Sequence, residues 1–102
     1  MRTVTRKRIE VLTDAPLVPL LAKAAAASGI TSYTVLPTLG GKGRRGTWRE
    51  DQLTGAASKV MFVTIATEAK ANALVDALTP LLDQYGILLT IGDVEVVRGE
   101  RF

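Results

Sequence analysis

Residues 38–48, Thr-Leu-Gly-Gly-Lys-Gly-Arg-Arg-Gly-Thr-Trp, bring four glycines and three cations together. That combination suits anion binding. Glycine lets successive backbone N–H groups converge on one point, and its missing Cβ lets the backbone come close to a ligand. Lys42, Arg44 and Arg45 supply the charge, and arginine adds a planar fork that matches phosphate or carboxylate bidentately. A solvated hairpin loop whose charges only keep it in water is the alternative.

The spelling from Gly41 to Gly46 is G-x-G-x-x-G, which as a dinucleotide fingerprint requires a strand before it, a helix after it and a carboxylate about 20 residues on. The residues at 47–57 have no apolar 3.6 period, so no helix is predicted there and the fingerprint is rejected. A P-loop is excluded as well, because no Gly-Lys-Ser/Thr follows at the required gap.

The chain has 102 residues, 47% hydrophobic and 23% charged, which fits a single domain over residues 1–102 with a modest core. It contains neither cysteine nor histidine. Disulfides, thiolate metal sites and histidine-dependent hydrolysis are therefore excluded, and no catalytic or metal-binding residues are expected. No apolar run reaches the roughly 20 residues of a membrane span, and residues 1–8 lack the apolar stretch of a secretory signal. The expectation is a cytoplasmic protein without membrane insertion. The net charge is only +3, but the cations cluster at residues 2–8, 42–49 and 98–101. Clustering favours a small anionic ligand over nucleic acid, which calls for a broader basic face and exposed aromatics.

The elements that position the glycine-basic stretch follow from periodicity. Residues 3–12 alternate as a half-buried strand. Thr13 or Asp14 is expected to cap a helix with Pro16 in its first turn, Leu17, Leu20, Leu21, Ala24 and Ala25 on one stripe, and Gly29 as C-cap. A strand over 30–38 leads into a segment without period that runs to about residue 57, too long for an idle connection. Residues 59–66 are apolar on both faces. Thr67 caps a second helix with Ala71, Leu74, Val75, Leu78 and Leu82 inward, which Pro80 should bend or end. After Tyr85-Gly86 a last strand covers 87–97, with a bulge expected at Gly92-Asp93. The order β-α-β-β-α-β is the ferredoxin-like α+β arrangement, an antiparallel four-stranded sheet with two helices on one face. The two-sided apolar strands predict that the other face is covered in a closed homo-oligomer, the alternative being a shallow extra core under the long loop.

With these elements placed, the chain resembles the PII-like signalling proteins, in particular their inorganic-carbon branch of carboxysome-associated and bicarbonate-transporter-associated members. The resemblance is carried by Ser32-Tyr33-Thr34-Val35 leading into Gly40-Gly41-Lys42-Gly43-Arg44, by Asp83-Gln84-Tyr85-Gly86-Ile87, and by Glu95-Val96. It implies a non-enzymatic homotrimeric sensor that binds AMP or ADP in clefts between subunits, at the base of a long T-loop, here about 39–58. It further implies regulation of inorganic-carbon uptake or carboxysome function through a transporter or carboxysome partner, with bicarbonate as a candidate coligand.

Carried over residue by residue, the nucleotide contacts are Gly41, Lys42, Gly43, Arg44 and Arg45 at the loop base, Gly86, Ile87 and Leu88 beside it, and Arg98 and Arg101 reaching a phosphate from a neighbouring subunit. The Thr-Gly-x-x-Gly-Asp-Gly-Lys loop that wraps phosphates in nitrogen-sensing relatives is replaced by Tyr85-Gly86-Ile87-Leu88, so triphosphate binding is not expected. No tyrosine or serine stands between Leu39 and Ala57 to accept the modification of the nitrogen branch, and redox control through the cysteine-bearing C-terminal hairpin of some carbon-branch relatives is not expected. Trp48, a lone indole in a polar loop, is an expected anchor for the loop or a partner. The competing function class is a small RNA-binding ferredoxin-like module, which the five aromatic residues equip poorly. An acylphosphatase-like hydrolase would need a cation between the first strand and first helix, where there is none.

Overall fold

In a computed structural model of the chain, described for residues 2–44, 46–49 and 58–97, β1 (Thr3–Asp14) is the long central strand. It pairs antiparallel with β5 (Lys59–Ala66) on one side and with β6 (Leu88–Val97) on the other. β2 (Thr34–Pro37) adds to β5 and completes a sheet of order β2-β5-β1-β6. Helices α1 (Val18–Ala27) and α2 (Glu68–Leu78), followed by the short α3 (Leu82–Tyr85), cross over one face. The ferredoxin-like order is as expected.

The core lies between that face and the helices. Side chains alternate along a strand, so Ile9, Val11 and Thr13 of β1 and Phe62, Thr64 and Ala66 of β5 all point the same way, and all are buried. Leu21 and Ala25 of α1 and Ala71, Leu74 and Leu78 of α2 close over them. Of the stripes read from the sequence, Leu21, Ala24, Ala25, Ala71, Leu74, Val75 and Leu78 pack as expected and Leu82 does so from α3. Leu17 instead falls in the 3-10 turn before α1, and neither it nor Leu20 joins the core, where Val18 packs instead. Tyr33 stacks on Phe62 with ring centroids 4.8 Å apart, although it is itself half open to solvent.

Helix ends obey local chemistry with one exception. The Thr67 hydroxyl accepts from the Lys70 N–H and caps α2, while Pro80 converts the chain to a 3-10 turn at Thr79–Leu81 once α2 has ended. Ile30 N–H donates to Ala25 O at 2.8 Å and closes α1 around Gly29. At the start of α1 the expected cap is not formed. β1 runs on through Thr13 and Asp14, and a 3-10 turn at Ala15–Leu17 precedes the helix, with no side-chain cap at either start. Pro16 and Pro19 both lack an N–H and both need a first-turn position, which divides the helix entrance into two short steps.

Three further expectations are corrected. The second strand is shorter than 30–38, because Ile30 is used in closing α1. β6 has no bulge: Gly92 pairs with Arg8 and Asp93 with Lys7 in unbroken register. Lys7 Nζ donates to Asp93 Oδ1 at 2.6 Å, a bond that raises the lysine pKa above its usual 10.5. The pair's contribution is thus complete below that pH and disappears as the pH rises through the elevated value. Lastly, the segment after Leu39 is not without structure. It opens with a two-stranded hairpin, β3 (Gly40–Gly43) with β4 (Gly46–Arg49).

Thr13 Oγ1 is buried with no hydrogen-bond partner among the described residues. A buried unpaired hydroxyl costs about 1–3 kcal/mol, and valine has nearly the same shape. Thr13→Val is expected to hold or raise the thermal midpoint, by roughly 4–8 °C for each kcal/mol recovered in a domain of this size. A clear fall in a thermal melt would show that the hydroxyl is partnered.

Candidate functional site

β1, β2, β5 and β6 meet at one end of the sheet, and the hairpin is seated there. Asp14, the last residue of β1, lies opposite Lys59, the first of β5, and Pro37, the last of β2, lies opposite Val60. The hairpin leaves from Thr38, whose N–H and hydroxyl both donate to Lys59 O, at 3.3 and 2.7 Å. On the other side of the same junction, Ala15 N–H donates to Ser58 O at 3.0 Å. The backbone connections at this end are therefore tied to each other.

Cross-strand pairs in the hairpin are Gly40 with Arg49, Gly41 with Trp48, Lys42 with Thr47, and Gly43 with Gly46. Period-two alternation divides them into two faces. One face carries Gly41, Gly43, Gly46 and the indole of Trp48; the other carries Lys42, Thr47 and Arg49. Glycine at 41 is a packing requirement, since an added Cβ would stand 2.5 Å from Trp48 Cη2. At Gly43 the nearest indole atom would be 3.9 Å away, an ordinary contact.

Trp48 is the anchor its solitary position suggested. Its Nε1–H donates to Thr38 Oγ1 at 2.9 Å, and Lys59 Nζ stands 5.6 Å from a ring centroid on the indole while holding Asp14 Oδ1 at 2.9 Å. Cations remain on the outer face. Lys42, Arg44 and Arg49 form no ion pair among the described residues, and an open hollow of about 690 Å³ is lined by Leu39, Gly40, Gly41, Lys42, Thr47, Trp48 and Arg49. Such a surface can attract and hydrogen-bond an anion. No group of metal-ligating side chains occurs among the described residues.

Of the residues selected from sequence, Gly41, Lys42, Gly43 and Arg44 come together on this hairpin. Arg45, Arg98 and Arg101 lie outside the described residues. Gly86, Ile87 and Leu88 are at the same sheet end but not beside the hairpin: β5 and β1 separate β6 from β2, three strand spacings or about 14 Å. Ile87 is a core residue whose N–H is already given to Leu82 O, Gly86 is the left-handed cap of α3 at φ 64°, and Leu88 is exposed. β6 then runs away from the hairpin, from Leu88 opposite Leu12 to Val97 opposite Thr3, about 30 Å off. Within one chain the described residues of the selection do not form one site. Thr47 and Arg49 were not selected, although Arg49 belongs to the basic cluster; Thr38, Asp14 and Lys59 carried no signal of their own.

Gly41→Ala is expected to displace the indole and loosen the hairpin, which moves the emission of the single tryptophan to longer wavelength. Gly43→Ala should leave it in place. Equal spectra for both variants and the parent would contradict the packing of Trp48 on Gly41.

The model of the family described as nitrogen regulatory protein P-II matches residues 6–101. No curated protein matches the chain in sequence. Among solved structures, CPII, a nitrogen regulatory PII-like protein from Thiomonas intermedia K12 bound to ADP, AMP and bicarbonate, is similar with a TM-score of 0.90 at 18% identity, over 99% of this chain and 96% of that one. A PII-like signalling protein from Thermus thermophilus is similar with a TM-score of 0.85 at 24% identity, over 100% of this chain and 99% of that one. The apo form of CPII gives 0.75 at 15% identity, over 93% and 95%. Identities this low speak for the fold, whereas the family model spans nearly the whole sequence. The chain belongs to the nitrogen regulatory protein P-II family.

Proposed function

We propose that this chain is a non-enzymatic PII-like sensor that binds AMP or ADP, with bicarbonate as coligand, in clefts between the subunits of a homotrimer. In this reading it regulates inorganic-carbon uptake or carboxysome function, acting on a transporter or carboxysome component through the loop at about 39–58. The observation that carries the proposal is the glycine hairpin at the sheet end, with Lys42, Arg44 and Arg49 unengaged by carboxylates among the described residues. CPII, of the same fold, is bound to ADP and bicarbonate. Bicarbonate is a small planar oxyanion, so guanidinium and backbone N–H groups suit it as they suit phosphate.

The subunit arrangement is supported by the sheet face that the helices leave open. Leu12, Leu36, Met61, Val63, Ile65, Leu88, Val94 and Val96 fall on it by register, with Leu36 47% and Leu88 58% exposed. An apolar surface of that extent is suited to a second copy. A cleft between copies is also the arrangement in which Gly86, Ile87 and Leu88, and the arginines that follow β6, could approach another chain's hairpin. RNA binding is the weaker reading, because the strands of the open face carry no aromatic among the described residues, and Tyr33 at its edge has its ring stacked on Phe62.

Titration calorimetry with AMP, ADP and ATP, each with and without bicarbonate, tests the function; binding of AMP or ADP in preference to ATP is expected. Arg44→Ala together with Arg45→Ala should weaken that binding about tenfold or more, since one charge-assisted bond is worth roughly 1.5–3 kcal/mol and 1.4 kcal/mol is a factor of ten. Unchanged affinity would place the phosphate elsewhere. Leu36→Asp should turn a trimer mass in light scattering into a monomer mass with the helical circular dichroism retained; a wild-type monomer would remove the cleft.

A further inference from the structure

The contacts at the base of the hairpin form a closed circuit. Trp48 Nε1–H donates to Thr38 Oγ1, the same hydroxyl donates to Lys59 O, and the Lys59 side chain returns to the indole face while its ammonium holds Asp14. The members come from β4, the link after β2, the start of β5 and the end of β1, so the circuit joins the hairpin to the two central strands. It is also economical in polar groups: the hydroxyl of Thr38 is satisfied both as donor and as acceptor, and the indole N–H has its single partner.

We propose that Trp48 is the positioning residue of the candidate site, acting through the Thr38 hydroxyl. The ring presses on Gly41 and fixes the strand that carries Lys42. The N–H bond to Thr38 sets the angle at which that strand leaves the sheet. By register Trp48 stands on the hairpin face opposite Lys42, Thr47 and Arg49, with its indole also bordering the hollow, so it holds the strand that carries Lys42 in place from behind. Its effect on nucleotide affinity rests on the function proposed above, whereas its effect on the hairpin does not.

The experiment is a double-mutant cycle with Trp48→Phe, which removes the N–H and keeps a ring over Gly41, and Thr38→Val, which removes the hydroxyl and keeps the shape. The readout is amide hydrogen exchange of Gly41, Lys42 and Gly43 in the full chain without ligand. Each single variant is expected to lower protection by about threefold to tenfold, the range one net hydrogen bond supplies, and the double variant by no more than the larger single effect. Thr38→Ser, which keeps the hydroxyl, should restore protection. Additive effects, unchanged protection, or a serine variant that behaves like valine would each overturn the proposal. In a second arm, dissociation constants for ADP should rise in the same order as protection falls. A wild-type protein that binds no nucleotide would contradict the function proposed above, and amide exchange would still decide the role of Trp48.

Discussion

β1 and β5 end together. Asp14 and Lys59 are the last pair of their ladder, and an ion pair of 2.9 Å joins them there. Both side chains are partly solvated, so the ion pair itself adds little to stability. Its consequence is geometric. With Lys59 at the ladder's end, its carbonyl accepts from Thr38, its ammonium stands over the indole of Trp48, and the hairpin acquires a fixed floor. A loop rich in glycine has little intrinsic stiffness, so the order of Gly40–Gly43 has to come from such outside contacts.

The same economy separates the hairpin's two tasks. One face carries the indole and no charge, and it is used for seating; the other carries Lys42 and Arg49 without carboxylate partners among the described residues, and it is the face that the proposed function gives to the ligand. A short β-ribbon makes this possible because alternate residues must face opposite ways. The open face of the large sheet shows a related division, with aliphatic residues surrounding the Arg8–Glu10 pair, whose Nε and Oε1 are 2.8 Å apart. By register Arg6, Thr34 and Thr90 share this face with the pair and the aliphatic residues.

Much of the fold was legible in the sequence because burial imposes a period. Leu21 and Ala25, then Ala71, Leu74 and Leu78, recur at helical spacing, and the apolar run of 59–66 marked β5 as a strand. The misreadings occurred where pairing or local competition decides. Thr13 looks like a cap, but two prolines delay the helix and leave it inside the sheet. Gly92-Asp93 looks like a break, but Arg8 and Lys7 stand opposite and continue the ladder. The hairpin was missed because glycine and charge carry no apolar period; only cross-strand bonds reveal it. Within the site, Lys42 and Arg44 were readable as cations among glycines and Trp48 as an anchor. Thr38, Asp14 and Lys59 were not, since their partnerships span 21 and 45 residues of chain and depend on register.

The central claim is that the outer face of the hairpin takes the anionic end of an adenine nucleotide. The most direct measurement is a two-dimensional amide NMR titration of the oligomer with ADP in bicarbonate buffer. The account predicts saturable shifts at Gly41, Lys42 and Gly43, with the amides of the α1 and α2 core residues nearly still. Saturable shifts confined to other parts of the chain, or none at millimolar ADP, would contradict it.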